Sequence, residues 1–447
     1  MKPVRLRPQT LLYGRLPTTL LLLLAACSPA RRLTRTIEQQ PALRTAQVGI
    51  CLWDAETGRE RYAFRAEKRF TPASTAKILT LATCLNTLGD SLPRLAYDWG
   101  EDTSEPDGMW FLCGAGDPTT LHPDFAAWQP PPVFLQQHPQ TYMVYFLEHS
   151  SAGRLERYGK GWAWDDFGFG YSTEISPFPV YGNQVTVTPT VDGYRVAPPE
   201  LDTLLQTADV VRLSRDPFGP TVYRPMYTYE PAPPPGVPIR FPFFRANQLT
   251  PDYIHQLCPG ASVMRDEAGA LYPMEGISGF WYACPTDTAL RRMMHQSDNF
   301  FAEQLLLSCA MERYRGFYPD SLRQWATDTL LKLDTGLRWV DGSGLSRYNL
   351  VSPRHLCAVL HRLWTTQDTG RLLDLFPEGG KEGTLQGWFA DVPVWAKSGS
   401  MGGVYCLSGY LRDKKGRMLA FSIMVNGFTV GQKPVKEAVG EVLRMLR

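Results

Sequence analysis

The sequence predicts an α+β fold: an antiparallel sheet assembled from strands near both ends of the chain, helices between them, and a large, mostly β insertion. Three observations lead there. Strand-forming runs at residues 48–53 and 61–64 flank the turn cluster Asp54-Ala55-Glu56-Thr57-Gly58, and runs at 404–411 and 418–425 flank Asp413-Lys414-Lys415-Gly416, so each pair reads as an antiparallel hairpin. Helical patterning covers residues 287–294, 300–311, 353–364 and 435–446, which places helices between and after the strands. From about residue 97 the chain changes to short strands and turns, with proline-rich stretches at 129–132 and 231–236; proline suits edges and loops, not central strands.

In chain order, Lys2, Arg5, Arg7 and Arg15 precede the apolar run Leu20-Leu21-Leu22-Leu23-Leu24-Ala25-Ala26, which ends at Cys27. The run is too short for a permanent membrane span, and its basic flank marks a secretory signal peptide. Leu24-Ala25-Ala26-Cys27 also looks like a bacterial lipobox, so residues 1–26 are expected to be a lipoprotein signal peptide, with Cys27 lipidated and tethering the mature chain to a membrane. Residues 27–46 then read as a tether with an initial helix. Residues 47–96 and 266–447 are assigned to the sheet-and-helix domain, and 97–265 to the insertion. Within the insertion, Gly161-Trp162-Ala163-Trp164-Asp165-Asp166-Phe167-Gly168 is read chiefly as core packing and turn chemistry.

Composition narrows the function classes. The formal net charge is +2 over 447 residues, and no long basic run occurs, so nucleic acid is not an expected partner. Beyond Cys27, eight cysteines lack a C-x-x-C pair, and the seven histidines form no H-E-x-x-H helix. Buried free thiols are expected, with no metal and no cofactor.

The chemistry concentrates at Thr71-Pro72-Ala73-Ser74-Thr75-Ala76-Lys77, where a serine and a lysine three residues apart open an apolar helical run. Side chains at that spacing share a helix face, which pairs a hydroxyl nucleophile with an amine base. Pro72 and Ser74 suit a helix start, where free N–H groups and the dipole favour negative charge on an attacked carbonyl oxygen. Two later segments raise the specificity of this signal: Ser297-Asp298-Asn299 and Lys397-Ser398-Gly399-Ser400. In this order, S-x-x-K, S-D-N and K-[ST]-G are the elements shared by penicillin-binding proteins and serine β-lactamases.

The chain thus resembles D-alanyl-D-alanine carboxypeptidases/endopeptidases of the penicillin-binding protein 4 kind, over nearly all of its mature length. Besides the three motifs, Gly116-Asp117-Pro118-Thr119, Ala302-Glu303-Gln304, Asp341-Gly342-Ser343-Gly344-Leu345-Ser346 and Gly383-Thr384-Leu385 resemble that group's signatures. The resemblance implies the serine β-lactamase/DD-peptidase fold and a Ser74 acyl-enzyme formed from peptidoglycan stem peptides or cross-links. It implies that Lys77 takes the nucleophile's proton, that Ser297 relays protons, and that Asn299 bonds the substrate backbone. It further implies that Lys397, with the Ser398 and Ser400 hydroxyls, holds the terminal carboxylate on the strand that includes Gly399, that the Ser74 and Ser400 N–H groups form the oxyanion hole, and that β-lactams are covalent inhibitors. Met401-Gly402-Gly403 departs from the group's usual pattern. The alternatives are a β-lactamase or esterase on the same fold, and an inactive lipid-anchored wall-binding scaffold.

Overall fold

The computed structural model describes residues 29–100, 108–137, 141, 143–147, 155–167, 169–199, 234–242, 249–266, 277–334 and 336–447. The expected signal peptide and Cys27 lie outside the described residues. In chain order the strands are β1 (Gln47–Asp54), β2 (Glu60–Phe64), β3 (Ser91–Gly100), β4 (Met109–Gly114), β5 (Met143–Leu147), β6 (Gln184–Thr190) and β7 (Gly193–Ala197). They continue with β8 (Ile239–Pro242), β9 (Ser262–Asp266), β10 (Gly279–Pro285), β11 (Val394–Met401), β12 (Val404–Arg412) and β13 (Met418–Asn426).

The first sheet runs β11-β12-β13-β1-β2 and is antiparallel throughout. The two hairpins expected from the sequence meet where β1 pairs with β13, Ile50 opposite Ile423. Both faces of the central strands are buried, because helices cover each. Alternation along β13 sends Phe421, Ile423 and Val425 to a cluster with Val439 and Leu443 of the Gln432–Leu446 helix. Ala420 and Met424 go to the opposite cluster, with Leu81, Phe301 and Leu356 from three other helices. β11, the strand that holds Lys397, is an edge strand. One rim of the sheet is therefore open to a ligand.

The stretch expected as a tether with an initial helix does hold that helix, and its apolar residues are packed. Residues Pro29–Gln39 form a helix, and Leu33 and Ile37, four residues apart on one face, are buried with Ala42 and Leu43 in the cluster behind the sheet. The apolar spacing within an otherwise polar, arginine-bearing segment carries that burial.

The insertion begins and ends elsewhere than expected. β3 and β10 hydrogen-bond each other in a second sheet, ordered β10-β3-β4-β5-β9, so the expected boundaries at 96 and 266 fall inside it. Hydrogen bonding draws them at Asp90 and Thr286: Thr286 N donates to Asp90 O at 2.9 Å and its hydroxyl to Gly89 O at 2.7 Å. A small third sheet, β7-β6-β8, completes the mostly β insertion. The proline-rich stretch at 129–132 lies outside all strands, as its prolines require. Inside the insertion, Arg94 and Asp117 form a fully buried ion pair at 2.7 Å, and Asp117 also accepts from Thr119 N at 2.8 Å, which fixes the Gly116-Asp117-Pro118-Thr119 turn. The eight described cysteines are buried and unpaired. Among the described residues no helix is long and apolar enough to cross a membrane, and no group of side chains is arranged to hold a metal.

Candidate active site

Ser74 sits in the tight turn Ala73–Ala76, and the α-helix proper begins one residue later and runs Lys77–Thr87. The sequence placed Ser74 at the helix start; a 3₁₀ turn precedes the helix, and its first residue, Ala73, adopts a left-handed φ of 46°. That conformation holds Ala73 O against the Asp341–Ser346 loop, where a Cβ on Gly344 would lie 1.9 Å from it. Only glycine fits there. Lys77 is fully buried, with its amine 3.0 Å from Ser74 Oγ, 2.6 Å from Asn299 Oδ1 and 2.7 Å from Ser343 O. Two of these partners are carbonyl oxygens, which only accept, so each takes an N–H of the amine. A neutral amine therefore spends its two N–H bonds on them and keeps its lone pair for the Ser74 hydroxyl. Burial disfavours the charged form and brings the Lys77 pKa down to about 8, against the pull of Asp341, Glu303 and Asp298.

The second motif is brought to the same place by the turn between the Thr286–His295 and Asn299–Tyr314 helices. Ser297 has a left-handed φ of 60°, and Asp298 caps the following helix by accepting from Phe301 N at 3.2 Å. Arg292 Nε holds the other Asp298 oxygen at 3.0 Å, so Asp298 orients the turn. Lys397 Nζ donates to Ser297 Oγ at 2.8 Å and to Ser398 O at 2.7 Å. Burial, and the neighbouring Lys77, push the Lys397 pKa well below the ordinary lysine value. The buried Lys397 amine thus has one hydroxyl and one carbonyl as partners.

The third motif lies along β11, close against the nucleophile's turn. Ser400 is exposed on this edge strand, opposite Tyr405 of β12. Ser398 Oγ is 2.8 Å from Thr384 Oγ1, a hydroxyl pair that the three motifs do not announce, although Gly383-Thr384-Leu385 belongs to the signatures noted above.

Two features escaped the sequence. Asn299 Nδ2, the atom expected to meet the substrate, donates to Tyr171 O of the insertion at 3.0 Å. Trp162 Nε1 donates to Asp341 at 2.8 Å, while Trp164 is 71% exposed; of the two tryptophans read as core, only the first is held inside. The insertion therefore touches the site's floor through Trp162 and its wall through Tyr171. No periodicity signals a backbone carbonyl as a partner.

The D-Ala-D-Ala carboxypeptidase 3 (S13) family pattern matches residues 30–206 and 283–445. The D-alanyl-D-alanine carboxypeptidase DacB of Haemophilus influenzae is 34% identical over 158 residues, 33% of this chain and 33% of that protein. The chain's match to the carboxypeptidase DacB of Mycolicibacterium smegmatis, 32% identical over 180 residues, spans 36% of this chain and likewise little over a third, 38%, of that relative. A D-alanyl-D-alanine carboxypeptidase of an Actinomadura species is 27% identical over 441 residues, 88% of this chain and 80% of that protein. The crystal structure of penicillin binding protein 4 from H. influenzae has a TM-score of 0.69 at 19% identity, covering 93% of this chain and 99% of that one, which shows the shared fold. The fold, the family pattern and the ordered motifs agree: this chain belongs to the D-Ala-D-Ala carboxypeptidase 3 (S13) family.

Proposed function

We propose that the protein is a serine-type D-Ala-D-Ala carboxypeptidase/endopeptidase that acts on peptidoglycan stem peptides or cross-links and is acylated by penicillin. The observation that carries this reading is the 3.0 Å contact of Ser74 Oγ with the buried Lys77 amine. In acylation the Ser74 proton passes to the Lys77 lone pair, and Oγ attacks the carbonyl carbon of the penultimate D-alanine. The Ser74 and Ser400 N–H groups receive the oxyanion. Ser297, bonded to Lys397, relays the proton taken up by Lys77 to the departing amine as the C–N bond breaks, so both groups regain their starting protonation; water then hydrolyses the ester and returns a proton to Ser74 Oγ. Asn299 exchanges Tyr171 O for a substrate carbonyl. Lys397 receives the terminal carboxylate, whose charge compensates the buried ammonium, beside the Ser398 and Ser400 hydroxyls.

A β-lactam enters the same pathway through its amide carbonyl. The relatives' printed names support the substrate class, since two are D-alanyl-D-alanine carboxypeptidases, and the H. influenzae protein has been crystallised with a β-lactam. The lipobox-like Leu24-Ala25-Ala26-Cys27 supports a periplasmic or cell-envelope location with a lipid anchor on Cys27. Incorporation of a fatty-acid analogue that is lost in Cys27→Ser tests the anchor. The activity is tested by incubating the mature protein with a stem pentapeptide ending in D-Ala-D-Ala and with a D-alanyl cross-linked dimer. Release of D-alanine or opening of the dimer, absent in Ser74→Ala, is expected; neither product from the wild type would sink the proposal.

A further inference from the structure

Behind Lys77 lies a carboxylate that none of the three motifs includes. Glu303, on the Asn299–Tyr314 helix, is nearly fully buried, beside the buried Gln304 and among apolar residues. Its two oxygens accept from Gly342 N at 3.0 Å and Ser343 N at 2.8 Å. The carbonyl of that same Ser343 takes the Lys77 amine at 2.7 Å. The loop is pinned from its other side, with Thr80 Oγ1 donating to Gly342 O at 2.7 Å and Asp341 accepting from Gly344 N at 2.9 Å and Ser346 N at 2.6 Å. A Cβ on Gly342 would lie 2.8 Å from Ala302 O, so helix and loop are in direct contact. Glu303, the Ser343 backbone and Lys77 thus form one hydrogen-bonded chain through the N–H and C=O of a single residue.

We propose that Glu303 is a positioning residue for the Ser74–Lys77 pair, fixing the Ser343 carbonyl on Lys77 and setting, through its charge, the pH at which Lys77 gives up its proton. The inference rests on Lys77 being the base that activates Ser74. Glu303 is influenced by Asp341, a like charge, and by Arg323; Lys77 is influenced by Asp341, Glu303 and Asp298, and acts in turn on Lys397. Burial and Asp341 raise the Glu303 pKa to about 7, within reach of ordinary working pH. Glu303 and Asp341 also line a cavity of about 240 Å³ with Tyr158, Leu307 and Arg323. Ser74, Lys77, Ser297 and Lys397 do not line it, so Glu303 has a route for proton exchange apart from the nucleophile's cleft. An ionised Glu303 favours the lysine ammonium; a neutral one releases the amine at lower pH.

The test compares the full mature chain with Glu303→Gln and Glu303→Asp, measuring the second-order rate of acylation by a fluorescent penicillin from pH 5.5 to 10, with thermal melting alongside. In the wild type the rate rises through about pH 8. Glu303→Gln is expected to move this rise to lower pH by about half a unit or more and to lower the plateau roughly ten-fold by loosening the Ser343 carbonyl. Glu303→Asp keeps the charge but shortens the reach, so the rise stays near the wild-type pH while the plateau falls. A folded Glu303→Gln whose rise coincides with that of the wild type would overturn the proposal, because a purely structural role changes only melting and plateau. Should Glu303→Gln not fold, the ¹³Cε resonance of Lys77 in the wild type decides: a second inflection near pH 7, where Glu303 ionises, is expected, and a single inflection overturns it. A wild type that penicillin does not acylate, yet whose Lys77 resonance shows both inflections, would refute the proposed function and leave the Glu303–Lys77 linkage standing.

Discussion

Gly399 and Ser74 meet backbone to backbone: a Cβ on Gly399 would lie 2.8 Å from Ser74 N, with Pro72 O at 2.7 Å and Thr75 N at 2.8 Å. The edge strand that carries Lys397 is thereby docked on the turn that carries the nucleophile. In Gly399→Ala one of the two must move, and displacement of reacting groups by about 1 Å costs on the order of 100-fold in rate. Acylation by penicillin should fall by about that factor while far-UV circular dichroism stays unchanged. A folded Gly399→Ala with wild-type acylation would show that the contact has slack.

The pH dependence follows from Lys77. Its reactive form is the free amine and burial lowers its pKa to about 8, so acylation should increase as pH rises through that value and level off above it. The stability consequence has a definite sign. The folded pKa lies below the unfolded value of 10.5, so between about pH 8 and 10.5 the unfolded chain binds more protons. This group's contribution to folding therefore improves as pH rises through that window, and its cost is full below it. Urea unfolding at pH 7 and 10, compared between wild type and Lys77→Met, isolates the effect: the difference between the two proteins should shift in favour of the wild type at the higher pH.

Gln304 joins the insertion to the helix that carries Asn299. Its amide donates to Gly116 O at 3.2 Å and Ser176 O at 2.9 Å, and accepts from Ser176 N at 3.1 Å. All three bonds are buried, so Gln304→Ala strands their partners and should destabilise the protein by about 2–4 kcal/mol. Chemical denaturation reads the loss directly, and an unchanged midpoint would contradict the clamp.

Thr384 should matter through Ser398. Losing its hydroxyl in Thr384→Val removes the 2.8 Å bond that fixes the Ser398 hydroxyl, a change worth about 1 kcal/mol. In D-alanine release assays KM should rise roughly five-fold with a smaller change in kcat. An effect confined to kcat would place Thr384 in the chemical step instead.

Much of this was legible because the informative residues are local. Ser74 and Lys77 declare themselves by spacing, and the hairpins on either side of Gly58 and Gly416 by their turn chemistry, so the first sheet and the nucleophile could be read directly. Assignment of β3 and β10 to the second sheet could not be read, because alternating apolar residues look the same whichever sheet buries them. The parallel pairing of β5 with β4 and β9 is equally silent in sequence. Leu33 and Ile37 carried a readable i, i+4 pattern, but arginines around them made the segment look like a tether. Glu303 appeared among the family signatures without a function. Its partners are backbone N–H groups about forty residues away, and nothing in sequence marks a peptide nitrogen as a ligand.

The central claim is that Ser74 is the acylated nucleophile and Lys77 its base. Its most direct test is mass spectrometry of the mature protein after incubation with a fluorescent penicillin, beside Ser74→Ala and Lys77→Ala. The account predicts one stable adduct on the peptide containing Ser74, absent from both variants. An adduct on another residue, or one that survives in Ser74→Ala, would contradict it.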